Sequence, residues 1–152
     1  MQAQKKILVA DDDADDLFLL QRAFEKANIR VSMTCVRDGD EAIEFLQAAT
    51  AEGSSMPELF FLDLKMPRMD GFEVLEWVRG QPGLKRLPIL VLSSSDEPED
   101  INRAYDLGAN SYLVKPFGTE YLGDIVESLN AYWLKLNRHP DCRAAECREF
   151  GL

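Results

Sequence analysis

Four short, unbroken apolar runs constrain this chain more than any other feature: Ile7-Leu8-Val9-Ala10, Leu59-Phe60-Phe61-Leu62, Ile89-Leu90-Val91-Leu92 and Tyr112-Leu113-Val114. None alternates cleanly between apolar and polar residues. A strand with one face in water does alternate, because successive side chains point to opposite faces. Continuous runs rich in branched and aromatic residues read instead as strands covered on both faces, which is the environment of a parallel sheet. Val31-Ser32-Met33-Thr34-Cys35-Val36 is a fifth, weaker strand candidate.

Helical periodicity fills the gaps. Leu17, Leu20, Phe24 and Ala27 recur at steps of three and four after the first run, with Asp13 as N-cap and further acids in the first turn. Ala42, Ile43, Leu46 and Ala49 mark a second helix. Phe72, Leu75 and Val78 mark a third, ended by Gly80 and Pro82. Ile101, Ala104, Tyr105 and Leu107 mark a fourth, between Pro98 and Gly108. Leu122, Ile125, Val126, Leu129, Trp133 and Leu136 give a longer fifth. Residues 50–57 read as a slightly long loop. Strand and helix thus alternate five times, which predicts an α/β sandwich with right-handed crossovers.

Charge and length narrow the function classes. The 152 residues suit one domain, and 27 acidic against 17 basic side chains leave a net charge of −10. That balance argues against a nucleic-acid-binding surface and against docking on anionic lipid. The apolar runs are too short to span a membrane, and Asp11 interrupts the first too early for a signal peptide. Three cysteines, Cys35, Cys142 and Cys147, do not make a secreted disulfide framework, so the expected compartment is the cytoplasm. The expected division is a domain over residues 1–137 and a charge-neutral C-terminal tail over 138–152, with no output domain.

All strands of a parallel sheet end at one edge, where ligands bind. The first run is followed by Asp11-Asp12-Asp13, the third strand by Asp63, the fourth by Ser93-Ser94-Ser95 and the fifth by Lys115-Pro116. Crowded carboxylates repel and need a proton or a cation. An all-oxygen donor set with room for water suits magnesium, whose coordination is often completed by phosphate oxygens. Lysine offers a point charge to a phosphoryl group and serine a hydroxyl donor. A carboxylate supplies the nucleophile by forming an aspartyl phosphate.

Taken singly, these residues have plainer readings. Asp13, Asp15 and Asp16 read as a cap and a solvated helix face. Asp63 alone would be a turn residue, and the serines a turn or N-cap region. Their joint placement carries the inference. His139, the sole histidine, falls in the tail, so a Ser-His-Asp or Cys-His mechanism has no base. His139, Cys142 and Cys147 have unusual spacing for zinc, and the tail reads instead as disordered or packed on a partner. Cys35 reads as a small buried apolar residue.

Read together, Ile7 to Asp12, Leu62-Asp63-Leu64-Lys65-Met66-Pro67-Arg68-Met69-Asp70-Gly71, Pro88 to Ser93, and Gly108-Ala109 with Tyr112-Leu113-Val114-Lys115-Pro116-Phe117 resemble the receiver domain of two-component response regulators. The resemblance covers about residues 5–136, and the long loop at 50–57, the stretch Ser93-Ser94-Ser95-Asp96-Glu97-Pro98-Glu99-Asp100-Ile101 and the extended fifth helix make it more similar to the small regulators that pair with phytochrome-type histidine kinases. It implies a flavodoxin-like (βα)5 doubly wound fold with a five-stranded parallel sheet. It implies Asp63 as phosphoacceptor and Mg2+ held by Asp12, Asp63 and the Lys65 main-chain carbonyl, with Asp11 acting through water. Lys115 would pair with the phosphoryl group, Ser93 would hydrogen-bond it, and Tyr112 would swing inward with Ser93. Lys115-Pro116 would be a cis peptide, and Met69-Asp70-Gly71 the turn into the third helix. Lys65 and Ser95 occupy variable positions that influence dephosphorylation. The switch hydroxyl is Ser where the family more often has Thr.

The implied function is a phosphoacceptor in a histidine-aspartate phosphorelay with a sensor histidine kinase as partner. Its output surface would be the fourth helix, fifth strand and fifth helix, where a homodimer is also expected, with Tyr121, Tyr132 and Trp133 as apolar anchors or as partly covered core. Two other readings are a magnesium-dependent phosphohydrolase using Asp63 as transient nucleophile and a pseudo-receiver that never takes phosphate. Against the first, Lys65 stands where a general acid-base would be needed. Against the second, every chemical group is present.

Overall fold

Each apolar run becomes a strand of one parallel sheet. The computed structural model describes residues 4–53, 56–116 and 120–140, and only the backbone of Glu120 and Tyr121. The strands are β1 (Lys5–Ala10), β2 (Val31–Val36), β3 (Leu59–Leu62), β4 (Ile89–Ser93) and β5 (Ser111–Val114), in the order β2-β1-β3-β4-β5. The helices are α1 (Ala14–Lys26), α2 (Gly39–Glu52), α3 (Gly71–Gly80), α4 (Pro98–Asp106) and α5 (Glu120–Leu129).

Strand alternation splits each run between two cores. Leu8, Ala10, Phe60, Leu62, Ile89 and Val91 face α2 and α3 through Leu46, Leu75 and Val78. Ile7, Val9, Leu59, Phe61, Leu90 and Leu92 face α1 and α5 through Leu20, Phe24, Val126 and Leu129. A continuous apolar run is what a strand needs when both its faces are covered.

Register positions the site. Ala10 pairs with Leu62 across β1 and β3, so Asp11 and Asp63 leave adjacent strands side by side. Ser93 pairs with Val114 across β4 and β5, so Lys115 emerges one residue beyond Ser93. Because the chain passes from β2 to one side of β1 and on to β3 at the other, the crevice opens between the ends of β1 and β3.

Several local expectations are corrected. The helix α2 runs through Thr50 to Glu52 and stops at Gly53 in the left-handed conformation (φ 72°), so the predicted loop starts later. Tyr105 is 48% exposed, because β5 is an edge strand and α4 buries only Ala104. For the same reason Val114 is exposed and β5 is only partly covered, Tyr112 and Leu113 lying half-buried against the two cores. After Leu129 the fifth helix widens into a π-helical stretch, Asn130–Leu136. The next buried residue is therefore Leu134, five positions on, while Leu136 is 73% exposed. No described peptide bond is cis, so Lys115-Pro116 is trans, the form an X-Pro bond ordinarily favours by about 0.5–1 kcal/mol.

No helix among the described residues is long and apolar enough to cross a membrane.

Candidate functional site

The aspartates after β1 divide into different tasks. Asp11 is buried; its Oδ1 accepts the Asp13 N–H (3.0 Å) and its own N–H donates to the Val36 carbonyl (3.1 Å). Asp12 is exposed, and its main-chain oxygen accepts two bonds from the Arg37 guanidinium, at 2.7 and 3.2 Å. Asp13 is the N-cap of α1, accepting the N–H groups of Asp15 and Asp16. Nothing in the sequence pattern marks Arg37. Its role follows from β2 lying beside β1.

Asp63 leaves β3 buried, with its N–H tied to the Ala10 carbonyl at 2.9 Å. The turn that follows contains Arg68 at φ 66° and ends on Asp70, which caps α3 in a reciprocal box with Glu73. Gly71 has a reason in packing: a Cβ there would collide with the Asp63 carbonyl oxygen and approach the Leu64 Cα to 2.7 Å. Only glycine lets α3 start this close to the site.

Lys115 closes the cluster. Its Nζ lies 2.7 Å from Asp11 Oδ2, 2.9 Å from Asp16 Oδ2 and 3.4 Å from Asp63 Oδ2. The Lys115 side chain is 15% exposed and those of Asp11 and Asp63 are buried, so these two pairs are only weakly screened by solvent, whereas the Asp16 pair lies at the rim. Burial acts to lower the lysine's pKa, but hydrogen bonds to Asp11 and Asp16 and the charges of Asp63 and Asp11 outweigh it, leaving the group above the ordinary lysine value. Asp63 is pushed up to about 6, first by burial. The Lys115 charge opposes that rise, Asp11 adds to it, and the Lys65 backbone N–H opposes it by hydrogen-bonding the carboxylate.

Asp16 is a correction. It reads as part of a solvated helix face, yet it binds the Lys115 ammonium. The available signal was its position three residues after the N-cap, from which a side chain reaches back over the helix start. Asp15 remains exposed.

One oxygen each of Asp11, Asp12 and Asp63 lie within 4.8 Å of one another. Three carboxylates, Asp11, Asp16 and Asp63, meet the one ammonium, and Asp12 adds a fourth to the cluster, an excess of negative charge formed wholly by hard oxygen donors. A divalent cation fits that set. The Lys65 side chain is exposed, and its residue meets Asp63 through the backbone N–H.

Ser93 is fully buried at the end of β4; its Oγ accepts the Ser95 N–H at 3.2 Å. Tyr112 packs on the core beneath α3 and α4, and its hydroxyl donates to the Ser95 carbonyl at 2.8 Å. Tyr112 therefore already lies inward. His139 is at the opposite edge of the sheet, its Nε2 3.8 Å from Glu58 Oε2. Cys142, Cys147, Phe117 and the Tyr121 side chain lie outside the described residues. Tyr132 is exposed and meets half-buried Trp133 edge to face at 5.2 Å. Cys35 is only partly buried, with Gln21 Nε2 3.6 Å from its sulfur.

Comparison with known proteins gives the same architecture. A family model for the response regulator receiver domain matches residues 7–127. The probable methanogenesis regulatory protein FilR2 of Methanothrix harundinacea is 37% identical over 134 residues, spanning 88% of this chain and 86% of that protein. The response regulator Rcp1 of Synechocystis is 36% identical over 132 residues, 86% of this chain and 90% of that one. Its Mn2+-bound crystal structure covers 90% of this chain and 99% of that one with a TM-score of 0.79, at 35% identity. The phosphorylated cyanobacterial phytochrome response regulator RcpA superposes with a TM-score of 0.83 at 37% identity, over 91% of this chain and 99% of that one.

Proposed function

The chain belongs to the response regulator receiver domain family, and from that premise we propose that Asp63 takes a phosphoryl group from the phosphohistidine of a sensor kinase. The N–P bond breaks as a carboxylate oxygen of Asp63 forms the new O–P bond. One observation carries the reading: Lys115 Nζ is held by Asp11 and Asp16 within 3.4 Å of the Asp63 carboxylate. That ammonium is in place to meet charge developing on the transferred group. Asp11, Asp12, Asp63 and the Lys65 carbonyl would hold Mg2+, which when bound supplies neutralising charge to phosphoryl oxygens.

Catalysis of this kind consists of positioning and charge compensation, and the chain assists its own phosphorylation and dephosphorylation in that sense. Ser93 turns its hydroxyl toward the loaded carboxylate, and Tyr112 is held inward. The altered surface is α4, β5 and α5, which serves a partner or a second copy. The domain spans residues 1–137, and residues 138–152 form a tail. The likeness to RcpA, a phytochrome response regulator, supports a phytochrome-type kinase as the phosphoryl donor.

Incubation with acetyl phosphate and Mg2+ tests this. We expect an acid-stable, base-labile phosphate that Asp63→Asn abolishes while the circular dichroism spectrum is unchanged. Undiminished incorporation in that variant would refute the acceptor assignment. Catalytic turnover of small phosphate esters would favour a hydrolase.

A further inference from the structure

Ser95 lies two residues beyond Ser93, and all its polar groups are engaged. Its N–H donates to Ser93 Oγ (3.2 Å), and its carbonyl accepts the Tyr112 hydroxyl (2.8 Å). Its hydroxyl donates to Asp100 Oδ2 at 2.6 Å and accepts the Glu97 N–H at 3.2 Å. One buried residue is thereby bonded to the end of β4, to the aromatic of β5 and to the first turn of α4. Nothing in the sequence marks Asp100 beyond a favourable acid near a helix start.

We propose that Asp100 is a positioning residue that, through the Ser95 hydroxyl, fixes the carbonyl to which Tyr112 bonds and so keeps Tyr112 inward before a phosphoryl group arrives. The proposal rests on the assignment of Asp63, Ser93 and Tyr112 given above. A hydroxyl-to-carboxylate bond of 2.6 Å is charge-assisted and among the stronger single hydrogen bonds a protein makes. It acts where local structure supplies little else. The N-cap position of α4, Glu97, makes no side-chain cap bond, and the helix buries only Ala104. Ser95 Oγ instead accepts the Glu97 N–H, so the Asp100 contact orients the hydroxyl and the peptide together. Without the carboxylate, the peptide carrying the Tyr112 acceptor loses its tether and the ring samples outward positions. A ligand on Asp63 then binds a smaller competent population, and its apparent affinity falls by that fraction.

Beryllofluoride, a phosphoryl mimic, serves as the probe, titrated calorimetrically in saturating Mg2+. Asp100→Ala is expected to bind it about tenfold more weakly than the wild type, the effect of losing one charge-assisted hydrogen bond. Asp100→Asn keeps an acceptor and is expected to stay within about threefold. In a Tyr112→Phe background, which lacks the hydroxyl, Asp100→Ala is expected to add nothing; a purely structural role for Asp100 would persist there. If Asp100→Ala does not fold, Ser95→Ala gives the same comparison. Equal affinity of wild type and Asp100→Ala, or a full loss in the Tyr112→Phe background, overturns the tether and leaves Asp63 as acceptor. Absence of any Asp63-dependent probe binding to the wild type overturns the functional reading and the tether with it.

Discussion

The centre of the sheet and its β5 flank are built to different standards. Every residue of β3 and β4 is buried, and β1 is buried from Ile7 to Ala10. At the flank, β5 has no fully buried residue and α4 has one, with Arg103 stacked 4.1 Å above the Phe72 ring as a further hold. The carboxylates proposed to carry the chemistry stand at the end of the fully buried part. The residues read as the output surface stand on the thinly packed part. Local opening costs least where few apolar contacts must break, so on the proposed reading the flank is where a change at Asp63 is expected to act.

The largest expected effect that sharpens this contrast is a pair of truncations. Leu62→Ala in β3 should cost about 2–5 kcal/mol in urea unfolding, the range for emptying a packed core site. Tyr105→Ala on α4 should change stability by no more than about 0.5 kcal/mol. Similar losses at both positions would erase the distinction.

Next comes the cation. At a Mg2+ concentration 100 times its dissociation constant, the folded state should gain about 2.7 kcal/mol, reversed by EDTA. Asp63→Asn should reduce that gain. A melting temperature unmoved by Mg2+ would break the link between the acidic cluster and a metal.

The pH dependence of the metal-free protein has a definite sign. Asp63 holds its proton more tightly folded, with its pKa raised to about 6, than in the unfolded chain. The stability contributed by protonating it is present at low pH and is lost as pH rises from about 4 through 6. Lys115 stays charged throughout that window. Thermal melts in EDTA should therefore show Asp63→Asn gaining stability over wild type as pH rises from 5 to 7. An unchanged difference between the two proteins across that range would count against the burial of an ionised carboxylate.

The smallest effect is expected at the rim. Asp16→Asn removes one of three carboxylates on Lys115, but its side chain is 39% exposed, so the loss should be within about 1 kcal/mol. A larger loss would move Asp16 from the edge of the site to its centre.

How much of this was legible depends on the range over which each feature is decided. The apolar runs of β1, β3 and β4 and the cap Asp13 depend on residues a few positions apart, and local pattern exposes them. The exposure of Tyr105 and the contact of Asp16 with Lys115 do not follow from periodicity, because each depends on what packs beside it. The π-helical stretch after Leu129 shifted the buried position from the expected Leu136 to Leu134, a change of turn that apolar spacing alone did not separate from an ordinary helix.

By itself the sequence determined that five strands would alternate with helices and that carboxylates, a serine and a lysine would follow those strands. These are consequences of local hydrophobic pattern and chain order. Only the tertiary structure decided that Lys115 would lie between Asp11, Asp16 and Asp63, that Arg37 would hold the Asp12 carbonyl, and that Ser95 would join Ser93, Tyr112 and Asp100. Lys115 and Asp11 are 104 residues apart in sequence and 2.7 Å apart in space. Strand order and register bring them together, and those are set by the burial of two whole faces of the sheet, not by any residue's neighbours along the chain.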